Sequence, residues 1–366
     1  MRAPADEAEL AEAVAGAEGP LAIVGGGTCG VAVAGEPLSV AGLSGITLYE
    51  PGALTMVARA GTPLAEIEAA LEAEGQRLAF EPPDFRSLLG TDGEPTIGGV
   101  FATNASGPRR IAVGAARDFL LGVRFVDGTG TVVRNGGRVM KNVTGYDLTK
   151  LMAGSWGTLG VLTEVAFKVL PKPAASGLVT IQALSPERAV AAMAAALGSP
   201  FEVTGAAHLT ETPGDVPGTM LRIEGSEASV AYRLERLAAL MAPFGNVAKS
   251  NGADWARVRD LTFLEGGDAD VWRLSVRPTT AAEVVARLPE GARVLLDWGG
   301  GLIWAAVPPG TDVRGAVGPL SGHARRVRGG GGGPRFPPEA APVAALSAGL
   351  RAQFDPRGIL NPGLMG

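Results

Sequence analysis

The chain has 366 residues, a formal net charge of −5, 46% hydrophobic residues, one cysteine and two histidines. A lone cysteine excludes an internal disulfide, and so few soft ligands exclude a four-cysteine iron–sulfur cluster or a cysteine-rich zinc site. The acidic balance speaks against non-specific nucleic-acid binding, and no apolar run reaches the ~18–20 residues of a transmembrane segment.

Length predicts two domains, and 54 glycines with 27 prolines stand at nearly twice the usual share of ~12%. Residues 1–7 lack the basic start and apolar core of a signal peptide, so a soluble cytoplasmic protein is expected. Residues 6–17 read as an Ala- and Glu-rich helix, and 21–24 as a buried strand stopped by Gly25-Gly26-Gly27. Short strands follow at 38–40, 46–49 and 56–60; Thr62-Pro63 then opens a helix, with Thr62 as its capping hydroxyl and Gly75 as its terminator. Residues 90–114 form a long glycine-rich loop region with almost no periodicity. A hairpin turned by Asp127-Gly128, a short helix over 146–153 and a strand over 161–170 complete the first part, which Pro171-Lys172-Pro173 closes.

The second part alternates strands and helices in two similar strand–helix–strand–strand sets, over 178–241 and 271–327. Gly329 to Gly333, followed by Pro334, Pro337 and Pro338, reads as a flexible tether before a terminal helix over 343–353.

Gly25-Gly26-Gly27-Thr28-Cys29-Gly30 satisfies G-x-G-x-x-G after a strand, and Glu50 falls ~20 residues on, where a dinucleotide fold places its ribose-binding acid. The crossover between them carries Gly35, Pro37, Gly42 and Gly45. A central helical proline costs about 3 kcal/mol and each glycine about 1 relative to alanine, so no crossover helix survives and a nicotinamide site is disfavoured. What remains is a strand running into bare backbone N–H groups, a nest that suits phosphate. Three further clusters share this chemistry: Thr96 to Gly107, Lys141 to Leu148 and Gly154 to Glu164. Each alone reads as a turn. Four within ~150 residues suit a large diphosphate-bearing cofactor, which needs close backbone approach at many points.

At these residues the sequence resembles the PCMH-type FAD-binding domain of the vanillyl-alcohol oxidase family, and within it the FAD-binding subunits of glycolate oxidases. Gly98-Gly99 through Arg110, Ala115 to Asp118, Met140 to Leu148, Trp156 to Val169 and the tail from Asp355 to Gly363 carry the resemblance. It implies an α+β protein: an FAD-binding domain over 1–173, a ferredoxin-like substrate or cap domain over 174–328, a linker over 329–342 and a tail over 343–366 that returns to the FAD domain. It also implies that Gly25, Gly26, Gly27 and Thr28 cradle the pyrophosphate. Pro82, Gly98, Gly99, Ala102, Thr103 and Asn104 then line the flavin and diphosphate, and Gly157, Gly160 and Val161 contact the adenosine or ribityl portion. The first loop has Thr28 and Cys29 and no histidine, so the FAD is expected to be non-covalent, with Cys29 a small packing residue. The implied partners are a D-type FAD subunit, an iron–sulfur subunit and a small 2-hydroxy acid, with peripheral membrane attachment through such a complex.

Oxidising a 2-hydroxy acid asks for an electron acceptor, a cation for the carboxylate and a base for the hydroxyl proton. His323, Tyr146 and Arg109 are the candidates, each with a plain alternative as a strand, solvent or surface residue. The four tryptophans of the second part, Trp255, Trp272, Trp298 and Trp304, read first as core. Whether the chain is itself a 2-hydroxy-acid dehydrogenase or an FAD-binding accessory subunit stays open at this level, and no metal site is expected.

Overall fold

The computed structural model describes residues 1–138, 145–210, 218–251, 255–331 and 333–365. The chain divides into two compact units, Met1–Ser106 with Gly114–Lys172 and Pro338–Gly366, and Gly107–Val113 with Pro173–Pro337.

In unit 1, α1 (Glu7–Ala15) starts at Asp6, whose carboxylate accepts the Glu9 N–H at 2.9 Å. β1 (Leu21–Val24) then pairs in parallel with β2 (Glu36–Ser39), with no helix in the crossover, so the nicotinamide-type βαβ unit is absent. β3 (Ile46–Glu50) and β4 (Thr55–Arg59) form one side of a five-stranded antiparallel sheet. α2 (Leu64–Ala73) buries Leu64, Ile67 and Leu71. Thr62 does not cap it as expected. Its hydroxyl donates to the Arg59 carbonyl at 2.7 Å and accepts from the Gly45 N–H at 2.9 Å, which leaves Pro63 at the cap. β5 (Gln76–Arg77) pairs with a later two-residue strand.

The region read as an unperiodic loop contains α3 (Arg86–Leu89), α4 (Ile97–Thr103), α5 (Arg110–Val113, in unit 2) and α6 (Ala116–Phe119). α4 overrides its glycines by tertiary packing. The Thr96 hydroxyl caps it through Gly99 N–H at 3.2 Å, and Phe101 is buried with its ring 5.8 Å from Phe80 and 5.5 Å from Phe167. β6 (Leu120–Val126) and β7 (Val132–Gly136) form the hairpin, turned by five residues because Asp127 Oδ1 accepts the N–H groups of both Thr129 and Thr131. After α7 (Leu148–Met152), β8 (Val161–Lys168) completes the sheet in the order β3-β4-β8-β6-β7, and β9 (Leu170–Pro171) pairs with β5.

Unit 2 is two βαββαβ modules, each in the strand order of a ferredoxin-like fold. The first is β10 (Ala175–Gln182), α8 (Pro186–Leu197), β11 (Gly205–Leu209), β12 (Gly218–Gly225), α9 (Glu227–Met241) and β13 (Val247–Asn251). After α10 (Ala256–Arg259) the second follows: β14 (Asp270–Ser275), α11 (Ala281–Ala286), β15 (Arg293–Asp297), β16 (Leu302–Val307), α12 (Val313–Val317) and β17 (His323–Arg328). β11 and β15 pair antiparallel, so the modules fuse into one eight-stranded sheet, β13-β10-β12-β11-β15-β16-β14-β17. Val179, Leu221, Leu274, Leu296 and Ile303 pack with helix residues Met193, Leu234, Val284 and Val313 in a single core, so α8, α9, α11 and α12 cover one face. The intervening strand residues, Arg273 and Trp304 among them, lie on the other face. Trp255, Trp272 and Trp304 are buried as expected, whereas Trp298 is half-buried.

Gly329 and Pro334, which flank the stretch read as a tether, are tied down. A Cβ on Gly329 would sit 1.6 Å from Asp270 Oδ1, and Arg314 Nη1 donates to the Pro334 carbonyl at 2.8 Å. The terminal helix α13 (Ala341–Phe354) and the tail belong to unit 1. There Ile359 and Leu360 join Leu10, Leu21, Val126 and Val161 in one cluster. Among the described residues, no helix is long and apolar enough to cross a membrane.

Candidate flavin cradle and arginine cluster

In unit 1 the glycine clusters come together. The loop after β1 lies against the residues that lead into α4: a Cβ on Gly25 would stand 2.8 Å from Thr96 Oγ1, and one on Gly26 would stand 1.6 Å from the Glu94 carbonyl. Thr91 Oγ1 donates to the Thr28 carbonyl at 3.4 Å, whereas Cys29, expected as a small packing residue of the cofactor loop, is exposed because the loop after β1 turns it away from the core. The C-terminal end of α4 is laced to the 154–158 loop, with Gly154 N–H donating to the Phe101 carbonyl at 3.1 Å and Trp156 N–H to the Ala102 carbonyl at 2.9 Å. Thr103 turns its hydroxyl back to the Gly99 carbonyl at 2.8 Å. Asn104 ends the helix at φ 51°, its Oδ1 accepting Arg117 N–H at 3.0 Å. Pro82 is buried in the segment before α3.

Asn361 joins the loops. Its Oδ1 accepts Ile23 N–H at 2.7 Å, its Nδ2 donates to the Trp156 carbonyl at 2.8 Å, and its own N–H reaches the Leu21 carbonyl at 3.0 Å. Gly157, at φ 72°, passes beneath it: a Cβ there would meet Asn361 Nδ2 at 2.9 Å. The tail resemblance covered this residue without assigning it the role.

The expected cofactor glycines separate into two kinds. Gly26, Gly98 and Gly160 are small because protein fills the space: a Cβ would meet Glu94, Ala60 or Phe125 within 2.6 Å. Val161 likewise packs in the α1–tail cluster. Gly27, at φ 72°, has nothing within 4 Å of a Cβ, and Gly99 meets only Thr96 Oγ1 at 3.1 Å. The N–H groups of Gly26, Gly27 and Thr28 find no acceptor among the described residues. Bare, outward backbone with unclaimed donors is what a diphosphate requires, so the cradle fits FAD. Residues 141–144 of the remaining cluster lie outside the described residues.

The three catalytic candidates part company. Tyr146 is 88% exposed. Arg109 is buried and pairs with Glu224, whose Oε2 also lies 3.6 Å from Arg222 Nε. His323, at the start of β17, opposite Ser275, stands in a basic cluster on the face of the unit 2 sheet away from α8, α9, α11 and α12. The register there sets Trp304, Arg273 and Arg325 side by side across β16, β14 and β17. Arg110 stacks on Trp298 at 4.7 Å, Arg273 lies 5.2 Å from the same ring, and the Trp298 indole donates to the Gly107 carbonyl at 3.1 Å. Burial lowers the Arg273 pKa to about 9, with Arg325 and Arg110 adding repulsion and Asp297 alone pulling the other way. Burial and then the charges of Arg273, Arg325 and Arg110 push the His323 pKa down, so the imidazole is neutral at pH 7. Like charges opposite one another on neighbouring strands cost stability, and an anion relieves that cost.

Residues 1–136 match the FAD binding domain family. Over 352 residues the chain is 38% identical to the glycolate oxidase subunit GlcE of Escherichia coli, covering 94% of this chain and 92% of that protein. The glycolate oxidase subunit GlcD of Bacillus subtilis is 39% identical over 120 residues, 33% of this chain and 24% of its own length. Among solved structures, an alkyldihydroxyacetonephosphate synthase superposes with a TM-score of 0.71 at 17% identity, over 99% of this chain and 76% of that one, a likeness of fold. Identity of 38% over 94% of the chain, running through both units, together with the FAD binding domain match over residues 1–136, makes this chain a member of the family of the glycolate oxidase subunit GlcE.

Proposed function

We propose that the chain is the FAD-binding subunit of a glycolate oxidase (glycolate dehydrogenase) complex, and that it oxidises glycolate or a related D-2-hydroxy acid to the 2-oxo acid. The observation that carries the substrate side is the Arg273–Arg325 row with Arg110 above Trp298. A small carboxylate answers this cluster of guanidinium groups, whose mutual repulsion Asp297 offsets at Arg273. Bound FAD supplies the two-electron acceptor, held non-covalently by the Gly26–Thr28 nest and the open backbone at Gly99. His323, held neutral beside the arginines, takes the hydroxyl proton on a ring nitrogen, and the same arginines stabilise the alkoxide that this proton transfer develops. Arg109 and Tyr146 have no part in this reading.

The partners follow from composition and relatedness. One cysteine supplies no cluster ligand set, which supports placing the iron–sulfur centre that takes the electrons on a separate subunit. The relatedness to GlcD over the FAD-binding part supports a D-type flavin subunit as companion. A cytoplasmic complex, peripheral to the membrane, agrees with the absence of a spanning helix among the described residues. The test is anaerobic addition of glycolate to the purified yellow chain. Bleaching of the visible flavin band by the chain alone supports catalysis here; bleaching only after the D-type subunit is added makes this chain an accessory. Acid treatment should release free FAD.

A further inference from the structure

His208 is a buried histidine that the proposed chemistry leaves unused. It sits on β11 at the seam of the two modules, opposite Leu296 of β15, and is fully buried. The Thr219 hydroxyl of β12 meets its Nδ1 at 3.0 Å and so fixes the ring, while its Nε2 is buried with no hydrogen-bond partner in the chain. Burial keeps the imidazole neutral, with a pKa lowered to about 4. His208 sits behind the wall of a cavity of about 520 Å³ bordered also by Leu184, Pro186, Val285, Pro289 and Val294, its Nε2 buried just beneath that wall. The hydroxyls in that wall are already engaged. Ser185 caps α8 through Arg188 N–H at 3.4 Å, and Thr210 donates to the Val294 carbonyl at 3.1 Å. No charged side chain lines the cavity.

We infer that this cavity is a second small-molecule site, for an uncharged and largely hydrocarbon ligand whose one hydrogen-bonding group meets His208 Nε2. Its size falls within the ~300–1,000 Å³ of ligand pockets, and a buried polar atom in a native protein has a partner with few exceptions. A charged ligand would meet no counter-charge there, and a metal ion would find one imidazole and no further donor to spare. The site is separate from the arginine row: Leu296 and Ile303 pack into the core under α8, α9, α11 and α12, whereas Trp304 and Arg273 occupy the alternate positions on the other face.

The experiment is an NMR titration of the FAD-loaded chain carrying ¹⁵N-labelled histidine. The two imidazole spin systems are assigned by loss of one in His323→Gln. The probes are phenol and toluene, matched in shape and differing in the hydroxyl. Phenol is expected to shift the His208 ring nitrogens saturably while His323 stays put, and toluene to bind about tenfold more weakly for want of the hydrogen bond. Ala292→Phe, which fills the cavity from its half-buried wall, is expected to abolish the phenol shift. If that variant does not fold, the phenol–toluene contrast in the unaltered chain decides alone. No saturable phenol shift at His208, or equal affinity for the two probes, overturns the inference. Neither outcome touches the proposed oxidation, which is read from flavin bleaching.

Discussion

Replacing Asn361 tests the idea that the C-terminal tail holds the flavin loops in place. The side chain is 4% exposed and makes two hydrogen bonds, to Ile23 N–H and the Trp156 carbonyl, from a backbone at φ 45°. Asn361→Ala removes both bonds at about 1 kcal/mol each and gives up asparagine's tolerance of the left-handed region at about 1 more, roughly 3 kcal/mol in all. Ile23 precedes the Gly26–Thr28 nest and Trp156 precedes Gly157, so part of that loss falls on the order of the cradle itself. A loss of about 1.4 kcal/mol there raises the FAD dissociation constant about tenfold. The assay is reconstitution of the apoprotein with FAD, together with a thermal ramp that follows the fluorescence of released flavin. Asn361→Gly keeps the backbone conformation and should recover about a third of the lost stability, but none of the affinity. Asn361→Asp keeps the acceptor for Ile23 and sets a carboxylate against the Trp156 carbonyl, so it should bind FAD no better than alanine. An alanine variant that is destabilised yet binds FAD with an unchanged constant would refute the argument.

Gly99→Leu should leave the chain folded and colourless, because its β-carbon meets only Thr96 Oγ1, whereas Gly98→Leu should fail to fold, because its β-carbon would lie 2.6 Å from Ala60. Flavin content against circular dichroism separates the two. Arg273→Leu should raise KM for glycolate by roughly 10- to 100-fold, the ~1.5–3 kcal/mol of a charge-assisted hydrogen bond, at unchanged flavin content; an unchanged KM removes the carboxylate site from the row. Because the His323 pKa is lowered, kcat/KM should be flat through neutral pH and fall only on acidification below the ordinary 6.5. His323→Gln should abolish that limb. Burial also depresses His208, from 6.5 to about 4, so the native state refuses a proton that the unfolded chain accepts. Stability is then fully retained above pH 6.5 and lost as the pH falls toward 4, by about 3 kcal/mol in all. Denaturant titrations of the parent and His208→Gln should converge across that window, and parallel curves would contradict the burial argument.

Much of the architecture was legible in the residues. The alternation of strand and helix in the second part anticipates both modules, and the expected lack of a crossover helix after β1 holds, although of the residues it rested on only Gly35 lies in the crossover, with Pro37 inside β2 and Gly42 beyond it. The misreadings have a common cause. α4 contains Gly98 and Gly99 and has no local reason to be helical beyond its Thr96 cap, so packing of Phe101 against Phe80 and Phe167 decides it. Thr62 has the chemistry of a cap but finds the Arg59 carbonyl first. A run of glycines signals freedom in isolation, yet Gly329 is glycine because Asp270 leaves room for nothing larger.

The sequence by itself determined the cofactor class. Backbone that approaches a diphosphate closely favours clusters of glycine, and that clustering is written locally, in four short stretches of the first half of the chain. It also determined that no cluster-bound electron carrier resides in this chain, since one cysteine is a count that no fold can change. Tertiary structure alone decided which glycines serve the ligand and which serve their neighbours, because that depends on atoms up to hundreds of positions away, as with Gly157 and Asn361. It alone assembled Arg110, Arg273, Trp304 and Arg325, which sit in four separate segments and come together through strand register and a crossing loop. Register is a property of paired strands, and no single strand carries it.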